Sequence, residues 1–428
     1  MRSSNLASTT FFSITPTRGG VTDQLQEFLV LYQLGHRLGY TYDHRAFQTN
    51  RSSRPHGLPT KVLRKLFWKA PKGLQVFFPE AFFDIYDFLG FNTYFERLNR
   101  AVPRRSFSTV DMVLNDQVFE DQGVQTLAQL EDYVRRRVEE PRAEASPKPL
   151  RVHFRLTRDI QWFQWFDPEG TAEPVVRHLR CGYREARQSN PRPSPFEKGK
   201  LKLLVHIRQG DTGVVETPWG TFVPVWGRMK GWMQEYEAYD AIPGHALIPI
   251  KYFAAFVEAM EAAVAREQVS TVVFSDGFER AFRVMKRQAH RLAWTSAQHR
   301  AVQKLAGTYD ARQFARFNRY RSCRCIIGEG GAGLSDLIQA AVEAEVVVVG
   351  TQQNMVAKLM AGYHTQETMP VVVVLYRKEK PAYDGLSLGA RAERFVFVDV
   401  EQESMVEAAS RVIKGLASRS QGDASTYE

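Results

Sequence analysis

The pattern of apolar and polar positions divides the chain into short strand-type runs and longer helix-type stretches. The strand-type runs are rich in β-branched residues, and glycine, proline or charged residues bound them. They include residues 203–207, 271–274, 346–349 and 370–375. Continuous apolar runs of this kind are typical of strands buried on both faces of a parallel sheet. Stretches with helical spacing lie between and after them, at 25–38, 252–260, 278–285, 334–344 and 405–416. This alternation predicts an α/β fold.

Strand and helix patterns alternate on both sides of residue 195, close to a polar, proline-containing segment at 189–200. Such a segment is typical of a domain boundary. The sequence therefore predicts two Rossmann-like domains, at 1–195 and 196–416, and a flexible tail at 417–428. Within the first domain, residues 45–110 have no regular pattern. Residues 141–149 form a polar link after a helical pattern at 127–139.

The first domain opens with a strand pattern at 9–14, the glycine pair Gly19-Gly20 and a helical pattern. Glycine lets the backbone approach a ligand, and the free N–H groups of a helix N-terminus favour anions. A tight turn is the simpler explanation of the pair taken alone.

Composition narrows the choice of partners and compartment. The chain has 428 residues and a formal net charge of +10, which favours anionic partners. It contains no zinc-finger spacing and no RNA-binding signature, so we do not expect a nucleic-acid partner. Three cysteines make no disulfide framework and indicate a reducing, cytoplasmic compartment. No apolar stretch reaches the ~18 residues of a spanning helix, which leaves a soluble protein or one peripheral to a membrane.

The stretch from Lys202 to Asp211 carries the most suggestive chemistry. Because side chains alternate along a strand, His206 and Arg208 would share one face at its carboxyl end. A guanidinium beside an imidazole can hold a phosphate and a neighbouring ring. Asp211 is a turn residue or an orienting partner of Arg208. A second His-x-Arg at 153–155 is a competitor, but an aromatic stretch follows it instead of a glycine turn.

Further candidates follow other strands. Glu216 is either a general base for an incoming hydroxyl or a solvated loop residue. The turn at 351–354, Thr-Gln-Gln-Asn, is either an ordinary N-cap or a phosphate contact. The sequence has no Asp-x-Asp, no histidine pair at metal spacing and no P-loop. We therefore expect no metal site and no cofactor, with positive side chains in place of a cation.

The motif His206-Ile-Arg208-Gln-Gly-Asp211, followed by Glu216, resembles the His-x-Arg motif of the fucosyltransferase superfamily with the GT-B fold. This superfamily includes the α1,6-fucosyltransferases, the nodulation fucosyltransferases and the protein O-fucosyltransferases. Three more elements resemble its motifs in the same order. They are the Gly-x-x-x-x-Gln-Leu element at 19–25, the strand ending in Ser-Asp at 272–276, and Asp336 followed by the strand and turn at 344–354.

The resemblance implies a metal-independent, inverting glycosyltransferase whose two Rossmann-like domains face a central cleft. It would move fucose from GDP-fucose to a hydroxyl of a glycan or protein acceptor. Arg208 would hold the β-phosphate of the donor, and Glu216 would be the catalytic base. His206 and Asp336 would contact the guanine nucleotide. The remaining donor-binding positions implied by the matched motifs are Gly19, Gly20, Asp211, Asp276, Thr351, Gln353 and Asn354.

Two departures from the family pattern affect the donor more than the fold. Gln209 stands where the α1,6 enzymes have a second arginine, and Thr212 stands where they have a lysine. The missing arginine keeps open a relative of the same fold that binds nucleotides or glycans without catalysis. The net charge alone also allows a basic, RNA-associated protein.

Overall fold

In the computed structural model, the described residues are 10–15, 21–47, 85–99, 107–143, 149–156, 173–208, 215–217, 220–222, 224–225, 228–229, 248–288, 295–317, 323–327, 331–350, 370–377, 380 and 394–422. They contain two separate parallel sheets, one built from residues 10–156 and the other from residues 201–399. The predicted α/β class with two Rossmann-like sheets is therefore confirmed. The exact domain boundaries remain a prediction.

The first sheet has four parallel strands: β1 Thr10–Thr15, β2 Thr41–Tyr42, β3 Ser108–Leu114 and β4 Leu150–Leu156. Their spatial order is β2-β1-β4-β3. The helices of this region are α1 Val21–Arg37, α2 Ile85–Phe88, α3 Phe91–Leu98, α4 Asp116–Gln122, α5 Leu127–Ala143 and α6 Glu173–Ser189. Gly39 follows α1 with φ of 74°, a left-handed conformation that ends the helix.

The two faces of the first sheet differ in chemistry. Phe12 and Ile14 of β1 and Phe154 of β4 belong to one apolar core, which the helices of this region share. Residues of opposite parity, such as Ser13 and His153, point to the other face, because side chains alternate along a strand. The apolar face therefore stabilises this part of the fold, at roughly 1.5–3 kcal/mol for each large side chain that is fully buried.

The second sheet has six parallel strands: β5 Leu201–Ile207, β10 Val269–Ser275, β11 Cys323–Ile327, β12 Val346–Gly350, β13 Val371–Tyr376 and β14 Phe395–Asp399. Their spatial order is β11-β10-β5-β12-β13-β14. Four short strands form two antiparallel pairs: β6 Val215–Thr217 with β7 Gly220–Phe222, and β8 Pro224–Val225 with β9 Arg228–Met229. The helices are α7 Ile250–Val264, α8 Glu279–Gln288, α9 Ser296–Phe314, α10 Gly331–Glu343 and α11 Met405–Gly422.

Both faces of the second sheet are apolar and covered. Val205 and Ile207 of β5 belong to a core that includes residues of α7 and α11. Leu204 belongs to a second core, on the opposite face, to which α10 contributes. Helix α10 also places Ile338 and Val342 in the core of the first sheet. This helix therefore joins the two parts of the molecule.

Several predicted boundaries change in the structure. Helix α5 continues through Pro141 to Ala143, where the sequence predicts a polar link. The proline costs one backbone hydrogen bond close to the end of the helix. The 45–110 region, predicted to be irregular, contains α2, α3 and the first part of β3. Helix α11 runs to Gly422, beyond its predicted end at residue 416.

Candidate functional site

The order of the second sheet defines where a ligand is expected to bind. In chain order its strands follow the pattern 3-2-1-4-5-6, with β5 first and β12 fourth. Connections lead from β5 toward β11 on one side and from β12 toward β14 on the other. Open α/β sheets bind ligands at the carboxyl ends of the two strands where the order reverses. The ends of β5 and β12, at Ile207 and Gly350, mark this position.

His206 lies at this reversal point. It pairs in register with Phe274 of β10 on one side and with Val349 of β12 on the other. Its side chain is buried, with 6% exposure, and its Nδ1 atom has no hydrogen-bond partner among the described residues. A buried polar atom without a partner costs about 1–3 kcal/mol, so its retention favours a functional use of the imidazole.

Arg208 follows directly after β5 and is half-buried. Burial and, to a smaller extent, the positive charge of Arg208 together lower the pKa of His206 to about 3. The imidazole is therefore neutral near pH 7, and Arg208 carries the positive charge of this pair. A neutral imidazole can orient a ligand by hydrogen bonding, while the guanidinium can bind a phosphate.

Glu216 is the central residue of β6, in the hairpin that follows β5 closely in the chain. It pairs with Thr221 of β7 in antiparallel register, and its neighbour Val215 is buried. The predicted base thus lies on a strand of a hairpin.

Asp276 follows β10, the strand next to β5, and is half-buried. The predicted Ser-Asp-Gly turn is present, because Gly277 has φ of 64° and its N–H donates to Ser275 Oγ at 3.0 Å. A Cβ atom on Gly277 would approach the Asp310 carboxylate to 2.8 Å, so glycine is required at this turn. Asp276 therefore lies at the same sheet edge as His206 and Arg208.

Asp336, in α10, contacts a residue that the sequence did not single out. Arg192 Nη1 lies 3.1 Å from Asp336 Oδ1 and donates to Ser335 Oγ at 2.8 Å. Arg192 belongs to the segment expected to separate the domains. Asp336, which is expected to contact the guanine nucleotide, is thus paired with Arg192 of the 189–200 segment. Because these residues are 144 positions apart, the sequence contained no local signal for the contact.

The competing His-x-Arg on β4 has a different environment. His153 Nδ1 lies 2.8 Å from Ser13 Oγ, and its Nε2 lies 3.0 Å from Thr15 Oγ1. Both ring nitrogens therefore have partners within the first sheet. Arg155 is exposed and lies 3.9 Å from the exposed carboxylate of Asp111. This arrangement accounts for His153 as a structural residue.

Comparison with known proteins finds similar solved structures, but their sequence identity to this chain is low. No protein-family model and no curated protein sequence match the chain. Similar solved structures include an α,α-trehalose-phosphate synthase (UDP-forming) from Burkholderia xenovorans, with 14% identity, TM-score 0.29, and coverage of 63% of this chain and 45% of that one. POFUT1 in complex with GDP has 11% identity, TM-score 0.36, and coverage of 86% and 98%. The E. coli trehalose-6-phosphate structure bound with UDP-2-fluoro glucose has 8% identity, TM-score 0.31, and coverage of 95% and 91%.

The match spans 45% and 52% of the first two Burkholderia chains. All three TM-scores are below 0.5, so these likenesses carry no argument about activity. The functional interpretation therefore depends on the residues at the carboxyl edge of the second sheet.

Part of the predicted site lies outside the described residues. These positions are Gly19, Gly20, Asp211, Thr351, Gln353 and Asn354. Their places in the chain follow β1, β5 and β12. The sequence also contains a glycine-rich stretch at 328–333, Gly-Glu-Gly-Gly-Ala-Gly, which begins directly after β11 and ends within the first turn of α10. A strand, a glycine-rich turn and a helix in succession are typical of backbone that approaches a ligand.

Other site types receive no support from the described part of the chain. Its residues contain no group of three or more histidine, cysteine or acidic side chains able to hold a metal ion. Cys181, Cys323 and Cys325 are free thiols. None of the helices in the described ranges is long and apolar enough to cross a bilayer.

Proposed function

We propose that this chain is a metal-independent, inverting glycosyltransferase that uses a nucleotide-diphosphate sugar, with GDP-fucose as the donor. The observation that carries the proposal is the position of His206 and Arg208 at the carboxyl end of β5, where the strand order reverses. The ordered motifs that resemble the fucosyltransferase superfamily support the same donor. The acceptor is a hydroxyl of a glycan or protein.

Arg208 has the chemistry needed for the leaving group. As the acceptor oxygen attacks the anomeric carbon, the bond from that carbon to the β-phosphate oxygen breaks. The electron pair leaves with the diphosphate, and negative charge builds up there. A guanidinium can stabilise that charge with two parallel N–H donors. Fixed charges in such a role are commonly worth about 3–4 kcal/mol.

His206 and Glu216 divide the other tasks. The neutral, buried imidazole of His206 orients the donor by a hydrogen bond and adds no charge. Glu216 accepts the proton of the acceptor hydroxyl as the new glycosidic bond forms. Attack from the side opposite to the departing diphosphate inverts the anomeric centre. Thr351, Gln353 and Asn354 contribute donors to phosphate or sugar by the same resemblance.

A panel of donors tests this proposal. Melting temperatures of the full chain are measured with GDP, GDP-fucose, GDP-mannose, UDP and UDP-glucose, and donor consumption is followed by release of the nucleotide. GDP and GDP-fucose should raise the melting temperature by mass action, and GDP-fucose should be consumed. A response to the UDP compounds alone would contradict the donor assignment. A lack of response to every nucleotide would contradict the enzyme class.

Gln209 supports one alternative, a relative of the same fold that binds nucleotides or glycans without turnover. The missing second arginine removes one source of charge for the leaving group. Stabilisation by GDP and GDP-fucose without consumption of donor, across a library of glycan and protein acceptors, would favour this alternative.

A further inference from the structure

A cavity of about 580 Å³ lies among helices that accompany the first sheet. Residues of α2, α3 and α6 and of the segment that follows α6 line it. Its volume falls in the range of small-molecule sites, roughly 300–1,000 Å³. None of the residues assigned to the proposed transfer reaction lines this cavity.

The backbone around the cavity is closely packed. Gly90 has φ of 64°, and a Cβ atom there would come within 2.2 Å of the Gly182 carbonyl oxygen. A Cβ atom on Gly182 would come within 3.1 Å of the Tyr94 side chain. Helices α3 and α6 therefore approach each other at two glycines. The cavity beside them has walls formed by directly packed backbone.

Three arginines line the cavity, and they differ in their partners. Arg97 Nη2 lies 2.7 Å from Glu185 Oε1, and Arg192 Nη1 lies 3.1 Å from Asp336 Oδ1. Each of these two cations thus has a carboxylate. Within the described part of the chain, Arg187 has none. Asp87 also lines the cavity but is not paired with Arg187.

Arg187 is held in place by neutral groups. Its Nη2 donates to the Phe88 carbonyl oxygen at 2.8 Å, and its guanidinium carbon lies 4.0 Å from the centre of the Phe88 ring. Its Nε and Nη1 atoms are buried and, within the ranges that the structure describes, have no hydrogen-bond partner. Burial lowers the pKa of Arg187 from its usual value, although a guanidinium remains charged near pH 7. The cation is therefore oriented by packing and has no carboxylate partner in the described part of the chain.

Hydroxyl and amide groups surround this cation. Thr93, Ser189 and Asn190 line the same cavity, and all three are exposed. Together with Arg187 they provide donors for the oxygens of an anion and for the hydroxyls of a polar ligand.

We propose that this cavity is a second ligand site, which binds a small polar molecule through an oxyanion group, a phosphate or a carboxylate, held by Arg187. None of the residues assigned to the donor lines this site, although Arg192, which does, is paired with Asp336. The inference does not rest on the proposed function. A bare phosphate would occupy only part of the volume, so the natural ligand has an organic body beyond its anionic group.

The test measures anion binding to the full chain by calorimetry and by thermal shift, with inorganic phosphate and citrate as probes. Sodium chloride keeps the ionic strength constant, which removes general screening. We expect saturable binding of at least one probe. The Arg187→Met variant should bind about tenfold or more weakly, because a hydrogen bond to a charged group contributes about 1.5–3 kcal/mol. The probe that binds more tightly identifies the anionic group.

Two variants serve as matched controls. Arg184→Met removes an exposed cation from the same helix outside the cavity lining and should leave binding unchanged. Arg208→Ala should also leave it unchanged, which separates this site from the donor site. Should Arg187→Met fail to fold, Thr93→Trp fills the cavity from its exposed rim and should abolish binding with Arg187 in place.

Absence of saturable binding to the wild-type chain would overturn the proposal. Equal binding by wild type and Arg187→Met, or by wild type and Thr93→Trp, would do the same. Loss of binding in Arg208→Ala with retention in Arg187→Met would assign the anion to the donor site and also contradict the proposal. A chain that binds no nucleotide sugar but keeps Arg187-dependent anion binding would contradict only the proposed function.

Discussion

The two His-x-Arg motifs share their residue types but have opposite environments. His153 is bonded through both ring nitrogens, to Ser13 and Thr15, and it lies within the first sheet. His206 is also buried, yet its Nδ1 atom has no partner among the residues that the structure describes. Arg155 is exposed beside Asp111, whereas Arg208 is half-buried at the point where the second sheet reverses its order. The neighbouring residues therefore give the same motif a structural role in the first sheet and make it a candidate ligand contact in the second.

The hydrogen-bond partners of the histidine separate a structural motif from a candidate binding motif. A buried histidine with two hydroxyl partners is accounted for by the stability of the fold. A buried histidine with an unpaired nitrogen beside an arginine carries an energetic cost that folding alone does not explain. The position of the strand in the sheet then decides whether a ligand can reach the pair.

The largest expected effect concerns Glu216, because the motif at 206–208 is followed by this carboxylate on a nearby hairpin. Glu216→Gln keeps the shape of the side chain but removes its basicity. Turnover of GDP-fucose should fall by about 10²–10⁴-fold, the range typical of a lost general base. Affinity for GDP should be unchanged. Initial rates and calorimetric titration measure the two quantities, and unchanged turnover would exclude Glu216 as the base.

The second comparison concerns stability. His153→Ala should destabilise the fold by about 1–3 kcal/mol or more, because the buried Ser13 hydroxyl loses its partner and a cavity forms. His206→Phe removes an unpaired nitrogen from an apolar setting and should change stability by less than about 1 kcal/mol. Shifts of the urea unfolding midpoint measure both. A loss of several kcal/mol in His206→Phe, equal to that in His153→Ala, would make His206 a structural residue as well.

The third prediction concerns pH. The pKa of His206 is about 3 in the folded chain and 6.5 without burial. Between these values the unfolded chain binds a proton that the folded chain does not, so stability falls as pH falls from about 6.5 toward 3. The loss approaches about 1.4 kcal/mol per pH unit for one proton.

His206→Phe lacks this proton and should lose stability less steeply over the same range. The pKa of His44 is also lowered, to about 4, but His44 is present in both chains and its effect cancels. Unfolding free energies at several pH values, measured for the two proteins, give the difference in slope. Parallel curves would show that His206 has the same pKa in the folded and unfolded chains.

The smallest expected effect concerns the exposed pair formed by the motif at 153–155. The side chains of Arg155 and Asp111 are 54% and 62% exposed, and their closest charged atoms are 3.9 Å apart. Exposed pairs of this kind contribute about 0–1 kcal/mol. Arg155→Ala should therefore shift the urea midpoint very little, at low and at high salt. A clear, salt-dependent loss would mean that this motif is coupled to the rest of the sheet.

Parts of the fold could be predicted because their signals are local. The continuous apolar runs of β12 and β13 read directly as buried parallel strands, and both strands are present. The sequence did not predict strand β3, because its exposed positions mix polar residues, such as Asp111, with the apolar Val113. Helix α9 was missed although its capping box is readable, with Thr295 and Gln298 bonded to each other's backbone.

The candidate site was only partly predictable. Alternation along β5 was sufficient to place His206 opposite the core of Val205 and Ile207, and the structure agrees. The neighbours of β5 could not be read, because β10 and β12 reach it through long crossover connections. The Arg192–Asp336 contact and the cavity around Arg187 likewise depend on helices brought together by tertiary packing.

The most direct test of the central claim is the affinity for GDP of the wild-type chain, Arg208→Ala and Arg155→Ala, measured by calorimetry under the same conditions. If Arg208 holds the donor phosphate, Arg208→Ala should weaken GDP binding by about tenfold or more, because a charge-assisted contact to phosphate is lost. Arg155→Ala should bind GDP as the wild-type chain does. Weakened binding in Arg155→Ala, with wild-type affinity in Arg208→Ala, would contradict the assignment of phosphate binding to Arg208.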